Sequence, residues 1–153
     1  METRSWELFV ARLGGVGASA VAPGSAATAL AGIPAAWLLG WCASPLALGI
    51  VALLFLGSCY VAEIAAEQLH QHDPGEVVID ELVGYLVTMV GLPTSFKALM
   101  IGFLAFRLFD IWKPWPVRVF DEQLKGGLGI VMDDVAAGCY AHVLVWVLLA
   151  LWP

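Results

Sequence analysis

Residues 46–62 read LALGIVALLFLGSCYVA, an apolar run without a single charge. A helix that crosses a bilayer needs about 20 mostly apolar residues. With its polar extension to about His70, this run is long enough. Pro45 opens it, and because proline cannot continue a preceding helix, Ala43-Ser44-Pro45 reads as a turn. On the N-terminal side of that turn, 25–41 is a further apolar segment, opening after Pro23-Gly24. On the C-terminal side lie three more. These are 74–91, closed by Leu92-Pro93-Thr94, then 96–111, stopped by Lys113-Pro114-Trp115-Pro116, then 130–152. The pattern predicts an all-α, polytopic membrane bundle of five helices. It reads as one domain over 1–153, with 1–20 as a short interfacial N-terminal segment.

Composition supports this. The chain is 61% hydrophobic and 13% charged, with a mean hydropathy of +0.86. Soluble domains average about 45–50% apolar and about 25% charged. A chain this short cannot hide so much apolar surface in one soluble core. A disordered chain needs the opposite composition. The net charge of −6, with no basic block, excludes a nucleic-acid partner. Cys42, Cys59 and Cys139 each sit in apolar runs, away from C-x-x-C spacing, and read as packing residues. The N-terminal METRSWELFVARLGG lacks the continuous apolar stretch of a signal peptide and reads as an amphipathic surface segment.

With five spans, Arg4, Arg12, Arg107, Lys113, Arg118 and Lys125 fall on one side, and Lys97 lies near the turn after the third span. The positive-inside rule makes that side cytoplasmic. All 13 acidic residues fall on the same side. Like charges crowded at one interface repel unless neutralised. A divalent cation does that economically, and a solvated charged rim is the plainer alternative.

The local motifs sharpen the choice. Asp73-Pro74-Gly75-Glu76 reads as a helix start, with Asp73 as N-cap and Pro74 at the first position. Asp80 and Glu81 follow one to two turns further in, where a carboxylate is costly without a partner. Glu76, Asp80 and Gly84 share one helical face. Gly84 permits close approach of a second helix. Gly126-Gly127-Leu128-Gly129 leads into Asp133-Asp134 at the start of the last apolar helix. Glycine amides at a helix N-terminus suit an anion. Paired aspartates suit a metal, and oxygen-only ligands favour Mg²⁺ or Mn²⁺ over zinc. Arg107, Asp110 and Lys113 recur every three residues. They read either as a phosphate clamp or as an interfacial belt with Trp112 and Trp115. Glu63, Glu67 and His70, at i, i+4 and i+7, read as a ligand triad or, more plainly, as a solvated face, and His142 reads as a packed or hydrogen-bonded residue. Gly32, Gly40 and Gly102 are open to helix packing within a chain or in a homo-oligomer.

Three blocks carry a resemblance. They are Asp73–Gly84, then Phe106-Arg107-Leu108-Phe109-Asp110-Ile111-Trp112-Lys113-Pro114-Trp115-Pro116, then Gly126–Gly138. In order and spacing the chain resembles the phosphatidylglycerophosphatase A family of bacterial membrane lipid phosphatases. The N-terminal block, Pro23-Gly24-Ser25-Ala26-Ala27-Thr28, is the poorest match. The resemblance implies a Mg²⁺-dependent hydrolase that converts phosphatidylglycerol phosphate to phosphatidylglycerol and inorganic phosphate. It implies a multi-pass protein of the bacterial inner membrane, with its site facing the cytoplasm and a role in phospholipid synthesis. Under that reading Asp80, Glu81, Asp133 and Asp134 gather the metal. Arg107 and Lys113 hold phosphate oxygens, helped by the amides of Gly126, Gly127 and Gly129. Asp110 is the general base or a further ligand, with Asp80 and Asp134 in the catalytic set. The rival from another class is a small carrier or channel for divalent cations with a carboxylate-lined entrance. The segments 46–60 and 143–152 are almost wholly apolar, whereas a carrier needs polar groups at the midplane.

Overall fold

A computed structural model describes residues 6–152, and among these every regular element is helical. We number the α-helices α1 (Trp6–Ala11), α2 (Pro23–Ala27), α3 (Ile33–Leu39), α4 (Ser44–Leu69), α5 (Ile79–Met89), α6 (Phe96–Trp112), α7 (Val117–Gln123) and α8 (Gly126–Leu151). A 3₁₀ segment, Leu13–Ala18, follows α1, and a π-helical segment, Thr28–Gly32, joins α2 to α3. The five expected segments are all helical, but the count of eight differs from the five predicted. The additions are α1 and α7, with the first segment divided by its π turn. Pro34 explains that division. It has no N–H to offer the carbonyl of Leu30, so hydrogen bonding shifts to i→i+5, and the Ile33 N–H bonds the Thr28 carbonyl.

Helices α4 and α8 have 26 residues each and are long and apolar enough to cross a membrane. At 1.5 Å per residue each reaches about 39 Å, against about 30 Å of hydrocarbon. Most of each span is left uncovered by protein, with Leu53, Leu56, Val143 and Trp146 pointing outward. An uncovered apolar helix is the surface expected of a membrane-associated protein.

Helix α8 is the axis of the fold and packs on α4, α5, α6 and α7. Its buried stripe of Gly127, Val131, Asp134, Gly138, Ala141 and Val145 follows i, i+3/i+4 spacing and is rich in small residues. One apolar cluster gathers Tyr85, Phe106, Met89 and Val145, with the Tyr85 and Phe106 rings edge to face at 6.3 Å. A second joins Ala11, Ala62, Ala65, Val83 and Val131. Away from the acidic cluster, buried hydroxyls find backbone partners inside the bundle, as an apolar surround demands. Tyr85 Oη donates to the Leu99 carbonyl at 2.8 Å, and Thr88 Oγ1 donates to the Gly84 carbonyl at 3.0 Å. His142 Nδ1 lies 3.1 Å from the Thr88 carbonyl, the hydrogen-bonded role expected for it.

Two helix starts depart from expectation. Asp73 caps nothing, since α5 begins at Ile79 with Val78 as its N-cap. The stretch before it turns at Pro74, whose carbonyl accepts from the Val77 N–H at 2.8 Å. Long-range contacts override the local capping signature. The Val78 N–H donates to the Ala11 carbonyl at 2.9 Å, Arg12 pairs with Glu76, and Gly17 lies against the Glu76 carbonyl with no room for a Cβ. Asp80 and Glu81 therefore occupy the first turn of α5, where the helix dipole favours negative charge. Helix α8 likewise begins at Gly126, earlier than the expected 130, so the glycine-rich turn is its first helical turn.

Candidate active site

The first turn of α5 supplies Asp80 and Glu81, and α8 supplies Asp134. One carboxylate oxygen from each lies within 4.8 Å of the others. Asp80 is 8% exposed and Asp134 is 3% exposed. Glycines on the two helices make this proximity feasible. A Cβ on Gly84 would meet the Asp134 carbonyl and the Phe106 ring, and a Cβ on Gly138 would meet the Gly84 carbonyl.

Three carboxylates this close repel strongly in a low-dielectric setting. Asp80 Oδ1, Glu81 Oε2 and Asp134 Oδ2 are all buried without a hydrogen-bond partner. Unsatisfied buried oxygens are costly. A set made only of such oxygens matches the donor preference of a hard divalent cation.

Arg107 of α6 stands beside the triad. Its Nη1 forms an ion pair with Asp110, one turn on, and lies 3.9 Å from Glu81 Oε1. Nη1 is thus held by the two acids, and Nε is a buried donor without a partner. Asp110 lies close enough to Asp134 for their charges to interact. The fourth wall is Gly24 at the start of α2, where a Cβ would strike Glu81 Oε1 and Arg107 Nη1. Sequence reasoning gave this Pro23-Gly24-Ser25 stretch little weight. Its signal is the glycine directly after a proline at a helix start.

Asp133 and Lys113 occupy a separate position. Lys113 Nζ lies 2.7 Å from Asp133 Oδ2 and 2.7 Å from Asp121 Oδ1 of α7. Burial by itself lowers the Lys113 pKa, but the hydrogen bonds and charges of Asp121 and Asp133 outweigh it and raise the pKa above the ordinary lysine value. Lys113 is thus a charged strut joining the end of α6 to α7 and α8, and its ammonium is already neutralised by two acids. Adjacent residues on a helix point about 100° apart, so Asp134 turns into the triad while Asp133 turns to Lys113.

The glycine turn packs on α4. The Gly127 N–H donates to the Glu63 carboxylate. Added Cβ atoms at Gly126 and Gly127 would meet Glu63 and the Cys59 carbonyl, and one at Gly129 would meet the Leu124 carbonyl. The anion at the N-terminus of α8 is therefore Glu63 of the protein itself. Glu67 and His70 line an open hollow with Gln71 and His72.

Comparison with known proteins places this geometry in context. Residues 9–149 match the family model described as Phosphatidylglycerophosphatase A. A protein of that name from Escherichia coli is 34% identical over 149 residues, covering 97% of this chain and 86% of the relative. Another from Haemophilus influenzae is 42% identical over 96 residues, covering 62% of this chain and 59% of the relative. A Bacteroides thetaiotaomicron protein with the provisional name phosphatidylinositol-3-phosphatase is 36% identical over 143 residues, covering 86% of each. No solved structure matches the chain.

Proposed function

The chain belongs to the phosphatidylglycerophosphatase A family of phosphatases, and from that premise we propose that it hydrolyses phosphatidylglycerol phosphate to phosphatidylglycerol and inorganic phosphate. The observation that carries this reading is the pairing of three carboxylates, two buried and one half-buried, each with an orphaned buried oxygen, with an arginine whose Nε is a buried donor without a partner.

Asp80, Glu81 and Asp134 would hold Mg²⁺, for which an all-oxygen set is suited. The ion would supply charge neutralisation at the phosphoryl group. Arg107 takes a non-bridging phosphate oxygen through its unpartnered Nε, a charge-assisted contact of the kind arginine makes with phosphate. Asp110 holds Arg107 in place and is the base on the same face, positioned to take the proton of the attacking water. As the water oxygen bonds to phosphorus, the bond from phosphorus to the lipid oxygen breaks, and that oxygen takes the proton back from Asp110. Asp133, through Lys113, sets how α8 meets α6 and α7. The Gly127 amide anchors α8 to α4 through Glu63, while Gly126 and Gly129 allow the close packing around it.

The protein sits in the bacterial inner membrane as a multi-pass chain, with the acidic site on the cytoplasmic side where its cations gather. It supplies a phospholipid for membrane synthesis.

The test is phosphate release from phosphatidylglycerol phosphate by the purified protein in detergent, with Mg²⁺ or with EDTA. Mg²⁺-dependent release that disappears in Asp134→Asn is the expected result. No release from folded wild type across several lipid phosphates and metals would overturn the reading. Divalent-cation flux in vesicles would then decide for the carrier.

A further inference from the structure

On the outer face of α6, a groove of about 570 Å³ is lined by Arg107, Leu108, Ile111 and Trp112. Leu108, Ile111 and Trp112 are 52%, 72% and 68% exposed, and Leu104, one turn before Leu108, continues the apolar strip. Arg107 belongs to both compartments. Its Nη1 pairs with Asp110 and lies near Glu81, and the same residue lines the groove.

We propose that this groove receives the diacylglycerol part of the phosphate-bearing lipid, so that substrate reaches Arg107 sideways from the bilayer. The proposal rests on the phosphatase reading above and adds to it the path and the binding surface for the lipid body.

Charge complementarity selects the occupant. The groove is apolar save for one cation, and that cation keeps a buried donor, Nε, without a partner. A ligand that fits has an apolar body and an anionic end. A phosphomonoester lipid has both, whereas a neutral lipid or an apolar helix from a second copy brings no anion to the arginine. The other large grooves lack this junction. The one lined by Phe109, Tyr140, Val143 and Val147 has no charged residue in its wall. The one lined by Trp6, Leu8 and Phe9 contains Arg12, whose acidic partner is the half-exposed Glu76 and not a member of the carboxylate triad. Depth agrees as well. Trp112 and Trp115 are exposed aromatics of the kind that settle at headgroup level. Leu104 lies about 12 Å further down the helix from Trp112, at 1.5 Å per residue, where acyl chains run.

The experiment compares two substrates on a variant that fills the groove. Leu108→Trp adds bulk at an exposed site, and Leu53→Trp is the control on the exposed face of α4. Kinetics are measured on long-chain phosphatidylglycerol phosphate in mixed micelles and on glycerol 3-phosphate, which has no acyl chains. We expect Leu108→Trp to raise KM for the lipid about tenfold or more, with kcat/KM for glycerol 3-phosphate within about twofold of wild type and the control unchanged. Equal losses on both substrates, or no change on either, would overturn the groove.

A second measurement does not depend on turnover. A photoreactive residue replaces Leu104, and labelled phosphatidic acid or labelled phosphatidylcholine is presented at equal mole fraction. Preferential cross-linking of phosphatidic acid, reduced by Arg107→Ala, supports the path. Equal labelling by both lipids overturns it. If wild type hydrolyses no phosphomonoester, the phosphatase reading falls, while the cross-linking result still decides the groove.

Discussion

Gly84 of α5 and Gly138 of α8 face each other so closely that a Cβ on Gly138 would overlap the Gly84 carbonyl. Each lies one helical turn after an acid of the triad, Asp80 in one helix and Asp134 in the other. The helix crossing and the carboxylate cluster are therefore one construction. The small residues bring the backbones together, and the acids one turn away inherit the separation.

Gly138→Ala is expected to destabilise the protein by about 1–3 kcal/mol, because its methyl group meets backbone that cannot swing aside. Gly49→Ala, where nothing lies within 4 Å of the added Cβ, is expected to be neutral or stabilising, since alanine favours a helix by about 1 kcal/mol over glycine. Thermal unfolding in detergent reads both.

Gly24→Ala should separate stability from activity. The added methyl meets the ends of Glu81 and Arg107 rather than backbone. Both side chains can move, so the unfolding temperature should barely change. Phosphatase activity should fall about tenfold or more as the site loses its geometry, since small displacements are costly at a reacting centre.

Arg107→Ala is expected to lower kcat/KM by about 10²–10³, the usual effect of removing one preorganised charge-stabilising donor. Arg107→Lys should recover only part of this, because an ammonium lacks the planar fork. Steady-state kinetics and circular dichroism, run together, check that the loss is chemical. Near-wild-type turnover in the alanine variant would remove Arg107 from the mechanism.

Mg²⁺ should raise the thermal midpoint of the wild type, and Asp134→Asn should abolish that rise. A ligand that binds the folded state alone stabilises by mass action, about 2.7 kcal/mol at a hundredfold excess over Kd. An identical Mg²⁺ response in both proteins would place the ion elsewhere.

Lys113→Met should cost about 1–3 kcal/mol, since Asp121 and Asp133 lose their shared partner. The folded Lys113 pKa is raised above its unfolded value. Its contribution is thus fully present below the unfolded pKa of about 10.4 and is lost only as pH rises through the folded value. The difference in unfolding temperature between wild type and variant should stay flat from neutral to mildly alkaline pH, apart from titration of the two acids in the variant. Lys113→Met with Asp133→Asn should regain part of the loss.

Much of this was legible in the sequence because it depends on local properties. The apolar runs and their proline and glycine boundaries locate α4, α6 and α8 within a few residues. Charge at apolar depth marks Asp80, Glu81, Arg107 and Asp134 as residues that need partners. The illegible part depends on contacts between distant residues. Asp73 has every local feature of a helix cap, yet Ala11, Arg12 and Gly17 hold the following stretch out of the helix. The glycine turn before Asp133 has the spacing of an anion site, but nothing in that spacing discloses that Glu63, 64 residues earlier, fills it. Asp133 and Asp134 are chemically identical neighbours, and only the rotation of α8 assigns them to different partners. Gly24 offers no side chain to read. Its importance lies in the room it leaves.

The π turn at Thr28–Gly32 amounts to one residue looped out of an otherwise continuous helix. Each α-helical residue turns the chain by about 100°, so the turn acts as a phase adjuster between Gly24 at the site and Trp37 on the outer surface. Deleting Ala29 would let the segment relax to ordinary α-helix without breaking it. The same deletion would rotate Gly24 away from Glu81 and Arg107, leaving a protein with its helices in place and its site out of register.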